Sequence, residues 1–277
     1  MDFDENYVKK LLPKRPENSH KGTFGSVLNI AGCSFYTGAA YFSSVAPLKV
    51  GCGKSTLASE EKILHTIASL SPDMILMPVN KIKKEMLNNF QAISIGCGLS
   101  KQKGAINLFK KTIKLLENSE TPIVIDADGL NILSVIKGIN LPLSTVLTPH
   151  PKELSRLMGI NVEDILLRPE YWIKECCEKY NCTTVLKLHK TIVADSKGQY
   201  YINNSGNSAL AHGGSGDVLC GMITGFLSQG LTCFEASALG VYLHGKTAEI
   251  ASKDLTEYSV LASDLLEYIP KAIKTLL

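Results

Sequence analysis

The feature that most constrains this chain is a regular alternation of short β-rich runs with longer helical patterns. The β-rich runs are residues 26–31, 92–95, 122–126, 145–147, 183–188 and 191–194. Several are apolar throughout, as strands covered on both faces are. Helical periodicity fills the intervals at 38–50, 104–116, 151–158, 170–180, 217–227, 234–252 and 261–276. This alternation predicts an α/β fold with a central, mostly parallel sheet flanked by helices on both faces. The 277 residues contain no linker, low-complexity tract or internal repeat, so the chain reads as one domain over 1–277.

Composition narrows the function classes. Hydrophobic residues make up 45% and charged residues 20%, which suits a soluble protein with a full core. A net charge of +3 is too small to point to nucleic acid or an anionic membrane as partner. No apolar run reaches the roughly 18 residues that a membrane span needs. The first ten residues are polar and lack the basic-then-apolar layout of a secretory signal, which predicts a cytoplasmic protein. The eight cysteines form no CxxC pair, and Cys176, Cys177 and Cys182 are their only cluster. They read as buried or incidental thiols rather than as disulfides or a zinc site.

Ligands of open α/β sheets sit beyond the carboxyl ends of the strands. Glycine- and polar-rich segments follow several predicted strands, at 32–38, 96–100, 127–131, 148–153 and 203–217. Together they would build one site. The densest is Ala211-His212-Gly213-Gly214-Ser215-Gly216-Asp217-Val218-Leu219, three glycines directly before a helical pattern. Glycine lets backbone N–H groups approach an anion, and the helix adds its positive end, so Gly214, Ser215 and Gly216 form a phosphate-sized anion hole. Asp217 at the helix start either caps the helix or takes a proton from an attacking hydroxyl. A second glycine segment, Gly51-Cys52-Gly53-Lys54-Ser55-Thr56, ends like a phosphate-binding P-loop. Leu48 stands where that motif needs glycine, and the stretch reads as a helix C-cap leading into a strand. No GxGxxG dinucleotide fingerprint follows the first strand.

Three further segments carry candidate chemistry. Asp126 and Asp128 end a predicted strand, where paired acids either hold Mg²⁺ through water or cap the next helix. His150 sits between Pro149 and Pro151, which fix its loop; it is either a ligand-edge group or a structural histidine. Lys187 and Lys190 flank a predicted turn, where they serve nucleotide phosphates or an adenine pocket, or are solvated charges.

Taken together these segments resemble a known family. Gly213-Gly214-Ser215-Gly216-Asp217 resembles the GxGD anion hole and base of the ribokinase-like superfamily. More narrowly, the chain from Ser19 onward resembles the ADP/ATP-dependent NAD(P)H-hydrate dehydratases, which repair hydrated NADH and NADPH. The motifs behind this are Lys21-Gly22-Thr23-Phe24-Gly25, Gly38-Ala39, Gly96-Cys97-Gly98-Leu99, Asp126-Ala127-Asp128-Gly129-Leu130-Asn131, Thr148-Pro149-His150-Pro151-Lys152-Glu153 and Asn203-Asn204-Ser205-Gly206-Asn207. The resemblance implies a three-layer ribokinase-like fold. It implies a hydrated-nucleotide site at Ala39, Gly98, His150 and Asp217, and an adenine-nucleotide site at Lys187, Leu188, His189, Lys190, Thr191 and Gly216. It also implies Mg²⁺ as cofactor, ADP or ATP as second substrate, a homo-oligomer, specifically a tetramer, and a separate NAD(P)H-hydrate epimerase. The family usually has proline where Cys97 stands, glycine at Leu188, threonine at His212 and glycine at Lys152.

The expected chemistry follows. Asp217 takes the proton of the ring hydroxyl as its oxygen attacks the terminal phosphorus of ADP. Backbone N–H groups of Gly214 to Gly216 and Mg²⁺ hold the developing charge. The phosphorylated ring then expels phosphate. The rival readings are a ribokinase-like kinase of a small vitamin or sugar alcohol, and a nucleotide-binding sensor without catalysis.

Overall fold

The computed structural model describes residues 4–277; residues 1–3, part of the polar N-terminal stretch, lie outside the described residues. Nine strands form one sheet: β1 (Ser26–Ile30), β2 (Lys54–Ser59), β3 (Ile75–Pro78), β4 (Ala92–Ile95), β5 (Ile123–Ile125), β6 (Thr145–Leu147), β7 (Thr183–Leu186), β8 (Ile192–Asp195) and β9 (Tyr200–Ile202). Their order is β3-β2-β1-β4-β5-β6-β7-β8-β9. All pairings are parallel except β7–β8 and β8–β9. The mostly parallel sheet read from the sequence is therefore observed.

Twelve α-helices connect the strands among the described residues: α1 (Glu5–Lys9), α2 (Thr37–Lys49), α3 (Glu61–Ala68), α4 (Lys84–Leu87), α5 (Lys103–Leu116), α6 (Asp128–Val135), α7 (Pro151–Met158), α8 (Val162–Leu167), α9 (Pro169–Tyr180), α10 (Ser215–Ser228), α11 (Cys233–Leu255) and α12 (Ala262–Lys274). They divide into two layers, each with its own apolar core against one sheet face. Residues of α1, α2, α3, α10, α11 and α12 share one core, with Phe226, Phe234 and Leu239 fully buried. Residues of α4 to α9 share the other, around Phe109, Ile113 and Leu133. No described helix is long and apolar enough to cross a membrane.

Local chemistry explains the elements. β1, β4, β5, β6 and β7 are buried at every position, as a sheet covered on both faces requires. The fully buried polar side chain inside β1, Asn29, is satisfied across the sheet. It donates to Ser55 Oγ of β2 at 3.0 Å and accepts from Ser94 Oγ of β4 at 2.8 Å. α11 opens with a capping box between Thr232 and Glu235.

The segment 51–56 ends α2 and enters β2, as read, and is no phosphate loop. Two strands went unread. β3 is a partly exposed edge strand ending in proline, and β9 is three residues at the opposite edge. Edge strands lack the continuous apolar run that announces buried ones. The 127–131 segment, read as loop, contains the first turn of α6.

Candidate active site

β1, β4, β5, β6 and β7 are adjacent and parallel, so their carboxyl ends open on one edge. Asp126 stands just beyond β5 and is 1% exposed. Its Oδ1 accepts from Lys187 Nζ, just beyond β7, at 2.7 Å. The Lys187 N–H in turn donates to Pro149 O at 2.8 Å, which locks the loops after β6 and β7 together. Glu153 Oε2 lies 3.9 Å from the same ammonium. Burial disfavours the Lys187 charge, but Asp126 and Glu153 outweigh it and hold the lysine above its usual range. Burial pushes the Glu153 carboxyl up to about 7 despite the nearby Lys187. Glu153 is thus the carboxyl of this group that readily gives up its charge.

His150 caps α7. Its Nδ1 accepts from the N–H groups of Lys152 at 3.1 Å and Glu153 at 3.3 Å, and its own N–H donates to Glu153 Oε2 at 2.9 Å. With Nδ1 accepting, hydrogen bonding assigns the proton of the neutral ring to Nε2, which lies 3.4 Å from Glu153 Oε1. Burial and Lys187 push the imidazolium down to about 4, so the ring is neutral at physiological pH. It is a helix cap whose half-buried ring remains at the ligand edge.

Gly214 is the N-cap of α10 at φ +94°, where an L side chain is strained. A Cβ there would also lie 2.9 Å from the Phe42 ring and from Ala262 Cβ. The Ser215 hydroxyl donates to the carbonyls of Leu210 at 2.7 Å and His212 at 3.0 Å, which fixes the turn. The Ser215 N–H donates to His212 O at 3.4 Å, which leaves Gly214 and Gly216 as the free donors of the predicted hole. Asp217 sits at the third position of α10. Burial, then the facing Asp126, raises its carboxyl to about 6, with the Cys97 thiol and Lys187 opposing. A carboxylate with that poise is a general base suited to neutral pH.

Ala39 and Gly98 come together across the mouth of the site. A Cβ on Gly98, which sits at φ +60°, would lie 2.7 Å from both Ala39 Cβ and Tyr36 Cβ. The nucleotide residues gather elsewhere. Lys187, Leu188, His189, Thr191 and Gly216 line a cavity of about 680 Å³ together with the buried His244. The Leu188 side chain does line it, whereas Lys190 is exposed and outside the lining. A wider groove of about 1620 Å³ between α1, α2 and α12 holds none of the predicted site residues.

Asp126 and Asp128, left open between metal and cap, both have protein partners. Asp126 is paired with Lys187. Asp128 starts α6 and accepts from the Ser100 N–H at 2.8 Å and Asn131 Nδ2 at 3.4 Å. Asp126 Oδ1 is thus held by Lys187, and Asp128 by Ser100 and Asn131. Sequence reasoning also missed two buried thiols near Asp217: Cys97 Sγ donates to Asp126 Oδ2 at 3.9 Å, and Cys220 lies within 4.8 Å of both. The signal available was spacing, since Cys220 follows Asp217 by three residues on α10 and shares its face.

A family model for NAD(P)H-hydrate dehydratase matches residues 27–271. The ADP-dependent (S)-NAD(P)H-hydrate dehydratase of Neisseria meningitidis is 35% identical over 91% of this chain and 84% of its own length. The chain spans about half the length of the bifunctional NAD(P)H-hydrate repair enzymes it also matches. A crystal structure of the ADP/ATP-dependent NAD(P)H-hydrate dehydratase of Bacillus subtilis, co-crystallised with ATP and Mg²⁺, superposes with a TM-score of 0.89 at 29% identity, covering 99% of this chain and 98% of that one. A ribokinase-like superfamily protein of Enterococcus faecalis gives 0.90 at 27% identity, covering 99% and 95%. The fold is thus the three-layer ribokinase-like one, and the chain belongs to the NAD(P)H-hydrate dehydratase family.

Proposed function

We propose that this chain dehydrates the S-epimer of hydrated NADH and NADPH back to NADH and NADPH at the expense of ADP, a repair step for nicotinamide nucleotides. ATP is the alternative phosphoryl donor. The observation that carries the reading is Asp217, a partly buried carboxyl raised to about 6 at the third position of the glycine-capped α10, beside the nucleotide-sized cavity. Binding alone does not call for a base there.

The hydrated ring bears a hydroxyl on the carbon next to its nitrogen. Asp217 removes the hydroxyl proton as the oxygen attacks the terminal phosphorus of ADP, forming the O–P bond and releasing AMP. The N–H groups of Gly214 and Gly216 receive the charge that develops on the phosphoryl oxygens. The ring nitrogen's lone pair then expels phosphate, and loss of a ring proton restores the double bond. Ala39, Gly98 and the neutral His150 form the rim where the hydrated ring sits. Lys187, Leu188, His189, Thr191 and Gly216 form the nucleotide side, with Lys190 near its entrance. Mg²⁺ would arrive on the nucleotide's phosphates; the carboxylates of Asp126 and Asp128 do not fit it, and no step is assigned to it. The resemblance to the family further implies a homotetramer acting in the cytoplasm, with an NAD(P)H-hydrate epimerase activity supplying the S-epimer.

The test is recovery of the near-ultraviolet absorbance of NADH from its hydrate with ADP, ATP or neither. Recovery that depends on ADP and releases AMP and phosphate supports the reading. Failure with both nucleotides returns the chain to a small-molecule kinase. Asp217→Asn should lose roughly 10²- to 10⁴-fold in rate while still binding ADP; a variant that keeps its rate removes Asp217 as the base.

A further inference from the structure

Behind the catalytic carboxylate lies a donor set that the dehydration does not use. Cys97 Sγ, Cys220 Sγ and an Asp126 carboxylate oxygen all lie within 4.8 Å of one another, and all three residues are buried. Cys97 Sγ is 3.9 Å from Asp126 Oδ2, the oxygen that Lys187 does not hold. Asp217, three residues before Cys220 on α10, is partly exposed. Zinc bonds of about 2.3 Å to sulfur and about 2.1 Å to oxygen place tetrahedral ligands about 3.5–3.8 Å apart. The three atoms need to contract by only about 1 Å to reach that geometry.

We propose that Cys97, Cys220 and Asp126 form a site for a thiophilic divalent cation of the Zn²⁺ or Cd²⁺ class. Two thiolates select such ions over Mg²⁺, which prefers an all-oxygen shell. Coordination replaces two S–H bonds by two sulfur–metal bonds and releases two protons, with no electron transfer. The bound ion ties up Cys97 and Asp126, the two groups that influence the Asp217 carboxyl, and so disturbs the base and inhibits the reaction. The site itself stands on geometry; only its effect on rate rests on the dehydratase reading.

The test titrates Cd²⁺ into the full chain, kept reduced by a phosphine, and follows the ultraviolet thiolate-to-metal absorption. Wild type should bind Cd²⁺ in the presence of excess Mg²⁺. Cys220→Ala should weaken binding roughly 100-fold or more, whereas Cys176→Ala in the other cysteine cluster should not. X-ray absorption of the Cd²⁺-loaded wild type requires no variant, and should show two sulfur neighbours with oxygen completing the shell. No sulfur, a single sulfur, or three sulfurs from the Cys176–Cys182 cluster would each overturn the site. Inhibition of NADH recovery by Cd²⁺, relieved in Cys220→Ala, should accompany binding. Undiminished turnover by Cd²⁺-loaded enzyme overturns the inhibitory role, and absence of turnover without Cd²⁺ indicts the dehydratase reading alone.

Discussion

Lys187→Met removes the cation that holds Asp126 in the interior. Asp126 is 1% exposed, and its 2.7 Å contact with Lys187 Nζ is its one ion pair. Breaking a buried pair by deleting one partner costs about 3–5 kcal/mol, because the remaining charge is left without water or counter-ion. Glu153 adds little, since burial already raises its carboxyl to about 7 and it sheds charge by binding a proton. Urea unfolding of Lys187→Met at neutral pH should therefore show a loss of about 3–5 kcal/mol with an unchanged denaturant slope. Lys187→Met combined with Asp126→Asn should recover about 1–3 kcal/mol of that loss, since coupled neighbours deviate from additivity by about this much. A single variant within 1 kcal/mol of wild type, or a double variant no more stable than the single, would refute the assignment of Lys187 as the counter-charge of Asp126. Because Lys187 also holds the Asp217 carboxyl down, the acid limb of the pH–rate profile should move to higher pH in Lys187→Met.

Other expectations follow from the same geometry. In the wild type, kcat/KM should fall as pH drops through about 6, because the raised carboxyl of Asp217 is ionised above that value and protonated below it; a flat profile down to pH 5 would remove Asp217 as the base. Gly98→Val places a side chain at φ +60° against Ala39 and Tyr36, both 2.7 Å from its Cβ. It should cost about 2–4 kcal/mol in thermal or urea unfolding from strain and overpacking, and raise KM for the hydrate more than for ADP. His244 is buried, and burial lowers its imidazolium to about 4. Stability that it contributes should be complete above pH 6.5 and be lost as pH falls toward 4, and the pH dependence of unfolding should flatten over that window in His244→Asn.

The local structure around the candidate site was legible because its signals are local. The glycines at 213, 214 and 216 before an apolar helical period state a turn, a helix start and an anion hole without reference to any other part of the chain. Pro149 and Pro151 likewise fix the His150 loop, and the structure confirms a helix starting at Pro151. What His150 and Asp126 do could not be read. The Asp126 partner is 61 residues away, and the His150 ring is engaged by N–H groups that become free only once α7 forms. The thiols beside Asp217 come from β4's loop and from α10, 123 positions apart in the numbering of Cys97 and Cys220.

The sequence by itself determined the architecture: buried apolar runs alternating with helical periods admit few arrangements other than a parallel sheet with helices on both faces. It also determined where α10 starts, since that depends on glycine at its N-cap and the apolar helical period after it. Only the tertiary structure decided the edge strands β3 and β9, the pairing of Lys187 with Asp126, the neutral state of His150 and the raised carboxyl of Asp217. Period and turn chemistry are properties of neighbouring residues. Pairing and protonation depend on distance and on the loss of water, and neither is defined until distant segments pack together.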